Sequence, residues 1–148
     1  MFTRERILRT LLLLALTKAA VYATVPAQSL SERNWETLAI QGVNAAKDGD
    51  LERADQLLRL ALKSLPQTAV ADAVILRNEL GRVLEALSRV DEAEVEYLQA
   101  IEINKAATKP LDAELAASLN NLASIRQGQG LWQAAAPLLL EASAIIFV

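Results

Sequence analysis

Three stretches of this chain superimpose on one another, and that repetition limits its fold more than any single residue does. Residues 51–61, 90–100 and 132–142 each place a large apolar residue, Ala, a large apolar residue and Ala at steps of three, four and three. The shared alanine stands at 54, 93 and 135, so the copies are offset by 39 and 42 residues. Twelve positions before it lies another small residue, Gly42, Gly81 or Ala123, within the upstream segments Leu38…Ala45, Arg77…Leu84 and Leu119…Arg126. Short polar links, Asp48-Gly49-Asp50, Ser88-Arg89 and Gly128-Gln129-Gly130, join the two halves of each copy. Links that short suit antiparallel helices.

The spacing has a mechanical reading. Antiparallel helices approach closely only where the facing side chains are small, so Gly42 is expected against Ala54, Gly81 against Ala93 and Ala123 against Ala135. Leu58, Tyr97 and Leu139 would fill the wedge beside each crossing, and Ala61, Ala100 and Ala142 would let the next hairpin approach. Pro66 closes the first unit, since proline cannot continue a helix and drives the residue before it out of helical geometry. Lys109-Pro110 marks the next break. Ser31, Asp50 and Asp112 are expected caps, and Asp91 with Glu94 forms a capping-box pair. Pro137 falls near the start of the sixth helix, where it is tolerated. One hairpin cannot bury its own face, but three stacked hairpins give a continuous core.

Composition agrees. Hydrophobic residues, mostly Ala and Leu, make up 53% of the 148 residues, with few of the aromatic and β-branched types that strands favour. The chain is therefore expected to be all-α. It has no cysteine and no histidine, which removes disulfides, a thiol nucleophile, the commonest general base and the commonest zinc ligand. No G-x-S-x-G elbow and no Gly-rich phosphate loop occurs. Asp48-Gly49-Asp50-Leu51-Glu52 imitates part of a calcium loop, but Arg59 stands where the distal bidentate Glu belongs. Glu92, Glu94 and Glu96 point around a helix instead of into one pocket and read as a solvated face. No catalytic residue, metal site or cofactor is expected.

The first 23 residues read differently. Arg4, Arg6 and Arg9 precede an apolar run over 11–16, and Val21-Tyr22-Ala23 offers a small-x-small exit. This is the layout of a secretory signal peptide over 1–23, with Val25-Pro26-Ala27 as a second exit. Residues 24–30 would then be a linker and 31–148 the domain. A membrane anchor and an amphipathic helix packed on the domain stay open as alternatives. Lys18 counts against the anchor, since a charge in mid-bilayer costs roughly 2.5–3.5 kcal/mol. The segment carries Arg4, Arg6, Arg9 and Lys18 against Glu5, so its removal takes the net charge from −3 to −6. An acidic domain with no basic stripe is not expected to bind nucleic acid.

The repeated pattern resembles the tetratricopeptide repeat. Gly42, Ala54, Leu58, Ala61 and Pro66 match its small residue, its two alanines, its large apolar residue and its proline. The longer spacing, with residues 118–123 and 130–132, is similar to the 42-residue subtype of kinesin light chains and many bacterial proteins. Repeats fall at about 35–67, 68–109 and 110–146. Arg77 and Leu38 depart from the early Trp, Arg126 from an apolar position and Lys105 from the second proline. The resemblance implies a right-handed superhelical stack of three antiparallel helix pairs, with the first helix of each pair lining a concave groove for a protein or extended peptide. Groove positions are then Asn78, Arg82 and Glu85 in the second copy and Asn120, Asn121, Ser124 and Gln127 in the third, amides being suited to a peptide backbone. Asn120 and Asn121 could equally bond backbone inside the repeat. The first copy offers Ala39, Val43 and Lys47, which lack the basic clamp some such domains use for a terminal carboxylate. These features imply a non-catalytic binding scaffold of an exported protein. The apolar stretch 138–148 carries a second expectation, self-association or structural assembly, because an uncovered apolar end is an interface or a liability.

Overall fold

A computed structural model describes residues 27–146, with side chains described from Asn34 to Ile145. The expected signal peptide and its cleavage sites lie outside the described residues. Six helices follow one another: α1 (Ala27–Lys47), α2 (Leu51–Ser64), α3 (Val70–Ala86), α4 (Val90–Ala106), α5 (Asp112–Gly128) and α6 (Trp132–Ile146). They pair as α1–α2, α3–α4 and α5–α6, and α2 packs on α3 as α4 packs on α5. A single apolar core runs from Ala45 through Leu58, Leu80, Tyr97 and Leu119 to Ala142. The expected all-helical stack of three hairpins is the observed architecture.

The three hairpin turns share one construction. Asp50 N–H donates to Ala45 O and Gly49 N–H to Ala46 O; Arg89 and Ser88, then Leu131 and Gly130, repeat the same two bonds. This is the Schellman closure, which requires a left-handed residue one past the cap. Gly49 (φ +83°), Ser88 (φ +61°) and Gly130 (φ +76°) occupy that place. Ser88 alone of the three carries a Cβ there.

The close approach inside the first two hairpins differs in its partners from the expectation. A Cβ placed on Gly81 would lie 2.6 Å from the Tyr97 ring, and one on Gly42 would lie 2.9 Å from Leu58 Cγ. Each glycine therefore faces the large wedge residue, while Ala54, Ala93 and Ala135 are buried beside the crossing. Ala142 is as buried as Ala61 and Ala100, although no hairpin covers α6 among the described residues. Ala142 thus owes its burial to its own hairpin and not to a following one. Leu139 does not fill a wedge: it is 37% exposed, whereas Leu58 and Tyr97 are fully buried.

Helix ends bring further corrections. Asp50 accepts the Arg53 N–H as expected (3.3 Å), and Leu65, before Pro66, is extended at ψ 132°. Ser31 lies inside α1, which begins at Ala27 within the presumed linker. Arg89, two residues before Asp91, occupies the cap of α4, because the turn closes on the Arg89 N–H and α4 starts at Val90. Asp112 is the first residue of α5, and its cap is Leu111. There the buried Asn104 does the fixing, accepting the Leu111 N–H (2.7 Å) and donating to the Leu111 carbonyl (2.8 Å). Pro137 sits within α6 as expected.

Glu92 is exposed, as expected of a solvated face, but Glu94 and Glu96 are partly buried, and each of the three finds a different basic partner. Glu96 pairs with Arg77 inside the second hairpin (2.6 Å), and Glu94 pairs with Arg126 of the third. Glu92 and the buried Asp55 share Arg59 and Arg89, tying the first hairpin to the second at 2.6–2.8 Å. The Arg89 hydrogen bond holds the Glu92 carboxyl below its usual range.

Three outcomes follow. Ser88→Gly is expected to raise unfolding stability by about 1 kcal/mol in denaturant titration, since the exposed Ser88 gives up only its backbone strain. Gly81→Ala is expected to cost about 2 kcal/mol through overpacking on Tyr97, with partial recovery in Gly81→Ala/Tyr97→Leu. Burial, and then its hydrogen bond to Glu85, push the Tyr97 phenol far above its usual range. Tyrosine in the unfolded chain ionises near pH ~10, so stability held below that pH is lost as pH rises beyond it. Tyr97→Phe should flatten that alkaline loss.

Candidate functional site

The helices α1, α3 and α5 touch in succession, while the backbones of α2, α4 and α6 stay apart. The first helices of the hairpins therefore make the inner, concave side of the stack, and the second helices splay outward. Residues of α1, α3 and α5 that neither core stripe uses face this groove.

The seven polar positions expected there divide sharply. Asn78 is only 4% exposed. Its amide donates to Glu114 Oε2 (3.0 Å) and to the Glu114 carbonyl (3.3 Å), and its Oδ1 accepts from the Ser118 hydroxyl (2.6 Å). Asn78 is thus a joint between the second and third hairpins, with nothing left to offer a ligand. Glu85 accepts the Tyr97 hydroxyl proton (2.7 Å). Arg82 is exposed and pairs one turn back with Glu79 (3.0 Å), a pairing of little energetic worth in solvent. Asn120 and Ser124 are exposed, Asn121 and Gln127 half-buried, and none of the four makes a side-chain hydrogen bond among the described residues. Of these seven positions, the amides without a side-chain hydrogen bond all lie on α5. Asn120 occupies the slot in α5 that Asn78 occupies in α3, and among the described residues it makes no side-chain hydrogen bond.

The other half of the groove is apolar. Between α1 and α3 lies a hollow of about 360 Å³ lined by Trp35, Ala39, Ile40, Val43, Ile75 and Leu76, with Lys47 and Asp72 at its rim. Ile40 is 63% exposed and Ile75 is 40% exposed. Ala39, Val43 and Lys47 were expected on this side; Ile40 and Ile75 were not. The signal was available, because neither isoleucine is needed by the stripe facing its own hairpin or its neighbour. A larger hollow of about 620 Å³ lies elsewhere, between the start of α3 and the α4–α5 link. Its buried amide, Asn104, is already spent on Leu111.

Among the described residues, no group of three or more His, Cys, Asp or Glu side chains could hold a metal ion. No described helix is long and apolar enough to cross a membrane. The Asp48–Asp50 turn serves as a helix cap, with Asp50 accepting the Arg53 N–H.

No curated protein matches the chain. A family model for the tetratricopeptide repeat matches residues 72–146, just over half of the chain. That span runs from the first turn of α3 to the end of α6, and the α1–α2 hairpin before it repeats the same glycine approach, turn closure and buried alanines. With three hairpins of one construction and the family match on two of them, the chain belongs to the tetratricopeptide-repeat family.

Proposed function

We propose that this protein is a non-catalytic scaffold that binds an extended peptide or a protein segment along its concave groove. The observation that carries the reading is the pair of exposed isoleucines, Ile40 and Ile75, in the hollow between α1 and α3. Isolated apolar residues on a surface need no explanation, but two that line one concave hollow make an anchor site for an apolar side chain. Farther along the groove, Asn120, Asn121, Ser124 and Gln127 supply donors and acceptors for a peptide backbone. The ligand would thus lay an apolar anchor on the α1–α3 hollow and its backbone on α5. Export to the periplasm or the cell exterior is part of this reading, and its support is the charge and apolar pattern of residues 1–23.

Trp35 lines the hollow and reports on its occupancy once Trp132→Phe has removed the second tryptophan. Peptides selected from a displayed random library are expected to change Trp35 emission on titration. Ile75→Glu should weaken them by about tenfold or more, the loss expected at an interface anchor. Asn121→Ala should weaken them by a smaller factor, with helical circular dichroism unchanged in both. Affinities that ignore both substitutions would remove the groove as the binding surface.

A further inference from the structure

The hairpin turns lie along one edge of the stack, and the links between hairpins, 65–69 and 107–111, lie along the other. At the linked edge α3 and α4 run to 17 residues each, against 14 for α2. Their facing ends carry short side chains: Val70 and Ala71 open α3, and Ala106 closes α4 with Ala107 behind it. In repeat register Asn104 stands where the first copy has Leu65. Leu65 packs against the core, whereas the Asn104 amide is turned onto Leu111. The core therefore stops at Val74 and Asn104, both 1% exposed, and the hollow of about 620 Å³ beyond them stays open.

This hollow has two chemical zones. Its walls are apolar, from Val70, Val74, Ile103, Ala107 and Leu111. Its rim carries Lys109, Thr68 and Thr108, all exposed. None of the three spends its side chain on a hydrogen bond or ion pair among the described residues. Lys109 is the only charge in the lining, a cation in a stretch, 24–148, whose net charge is −6. The neighbouring Lys105, by contrast, is held by Glu141 at 2.6 Å.

We propose that this hollow binds a single-chain fatty acid, with its alkyl chain against the apolar walls and its carboxylate at Lys109. The volume lies within the range of small-molecule sites, about 300–1,000 Å³. One ammonium and two hydroxyl donors match a single carboxylate, and the lysine stem can lie along the wall while its charge stays in water. A cationic amphiphile would set like charge against Lys109. The site shares no lining residue with the α1–α3 hollow and does not rest on the groove reading.

Calorimetric titration of the full chain with sodium decanoate at neutral pH, below micelle formation, tests it. One decanoate per chain is expected. Acetate, which lacks the chain, and decyltrimethylammonium, which inverts the head charge, should give no saturable heat. Lys109→Gln should weaken decanoate by about threefold, the worth of one exposed ion pair, and remove the salt dependence of binding. Ala71→Leu should fill the hollow and weaken it by about tenfold or more, the loss of roughly two buried methylenes, with helical circular dichroism unchanged. Ile75→Glu, in the groove, should leave decanoate binding as it was. No saturable binding by the full chain, equal binding of the cationic amphiphile, or indifference to Ala71→Leu would each overturn the proposal.

Discussion

The stack depends on how near two helices can come. At Gly81 the absence of a Cβ lets the Tyr97 ring lie against the α3 backbone, and at Gly42 it lets Leu58 do the same. The gain is the complete burial of a large side chain at the closest approach of each pair, and the Tyr97 hydroxyl ends on Glu85 of the same hairpin. Glycine inside a helix costs about 1 kcal/mol in backbone entropy relative to alanine. Full burial of a side chain of this size returns about 1.5–3 kcal/mol, so the exchange favours the glycine.

Much of this was legible in the sequence, and the misses share a cause. Spacing along a chain reports which residues share a helix face, so the hairpins, the turns and the position of Pro66 could be read directly. It does not report what lies across the gap. The small residue and the shared alanine lie twelve positions apart in every copy, yet what lies nearest to Gly81 is Tyr97, four residues beyond Ala93. Asn78 looked like a groove amide because its position in α3 faces inward, but the neighbouring helix brings Glu114 and Ser118 to it. In the same way Glu92, Glu94 and Glu96 lie on three sides of α4, and only the stacked structure shows that an arginine waits on each side. The exposed isoleucines escaped notice for the opposite reason: residues that no packing rule demands are easily passed over.

The polar interior is arranged so that no single residue carries it. Asp55 is 6% exposed and would be costly to bury alone, but it takes hydrogen bonds from Arg59 and Arg89, which then share Glu92. Breaking such a group by removing one member leaves a charge uncompensated, which is why networks of this type constrain geometry more than they add stability. Arg77 and Arg126, at positions where the repeat pattern carries apolar residues, find their carboxylates in Glu96 and Glu94. Both arginine departures from the family pattern thus meet a carboxylate on the facing helix.

The two joints of the stack are held by different forces. Between the first and second hairpins the polar contact is a cluster of ions, several of them open to water. Between the second and third, the ion pairs Arg126–Glu94 and Lys105–Glu141 are accompanied by a buried amide and hydroxyl, Asn78 and Ser118, shut away from water. Dissolved salt weakens ion pairs and scarcely touches the buried amide and hydroxyl. In a linear array, where each unit leans only on its neighbours, ionic strength then selects where the rod parts, and concentrated brine would peel the leading hairpin away while the trailing two remain clasped.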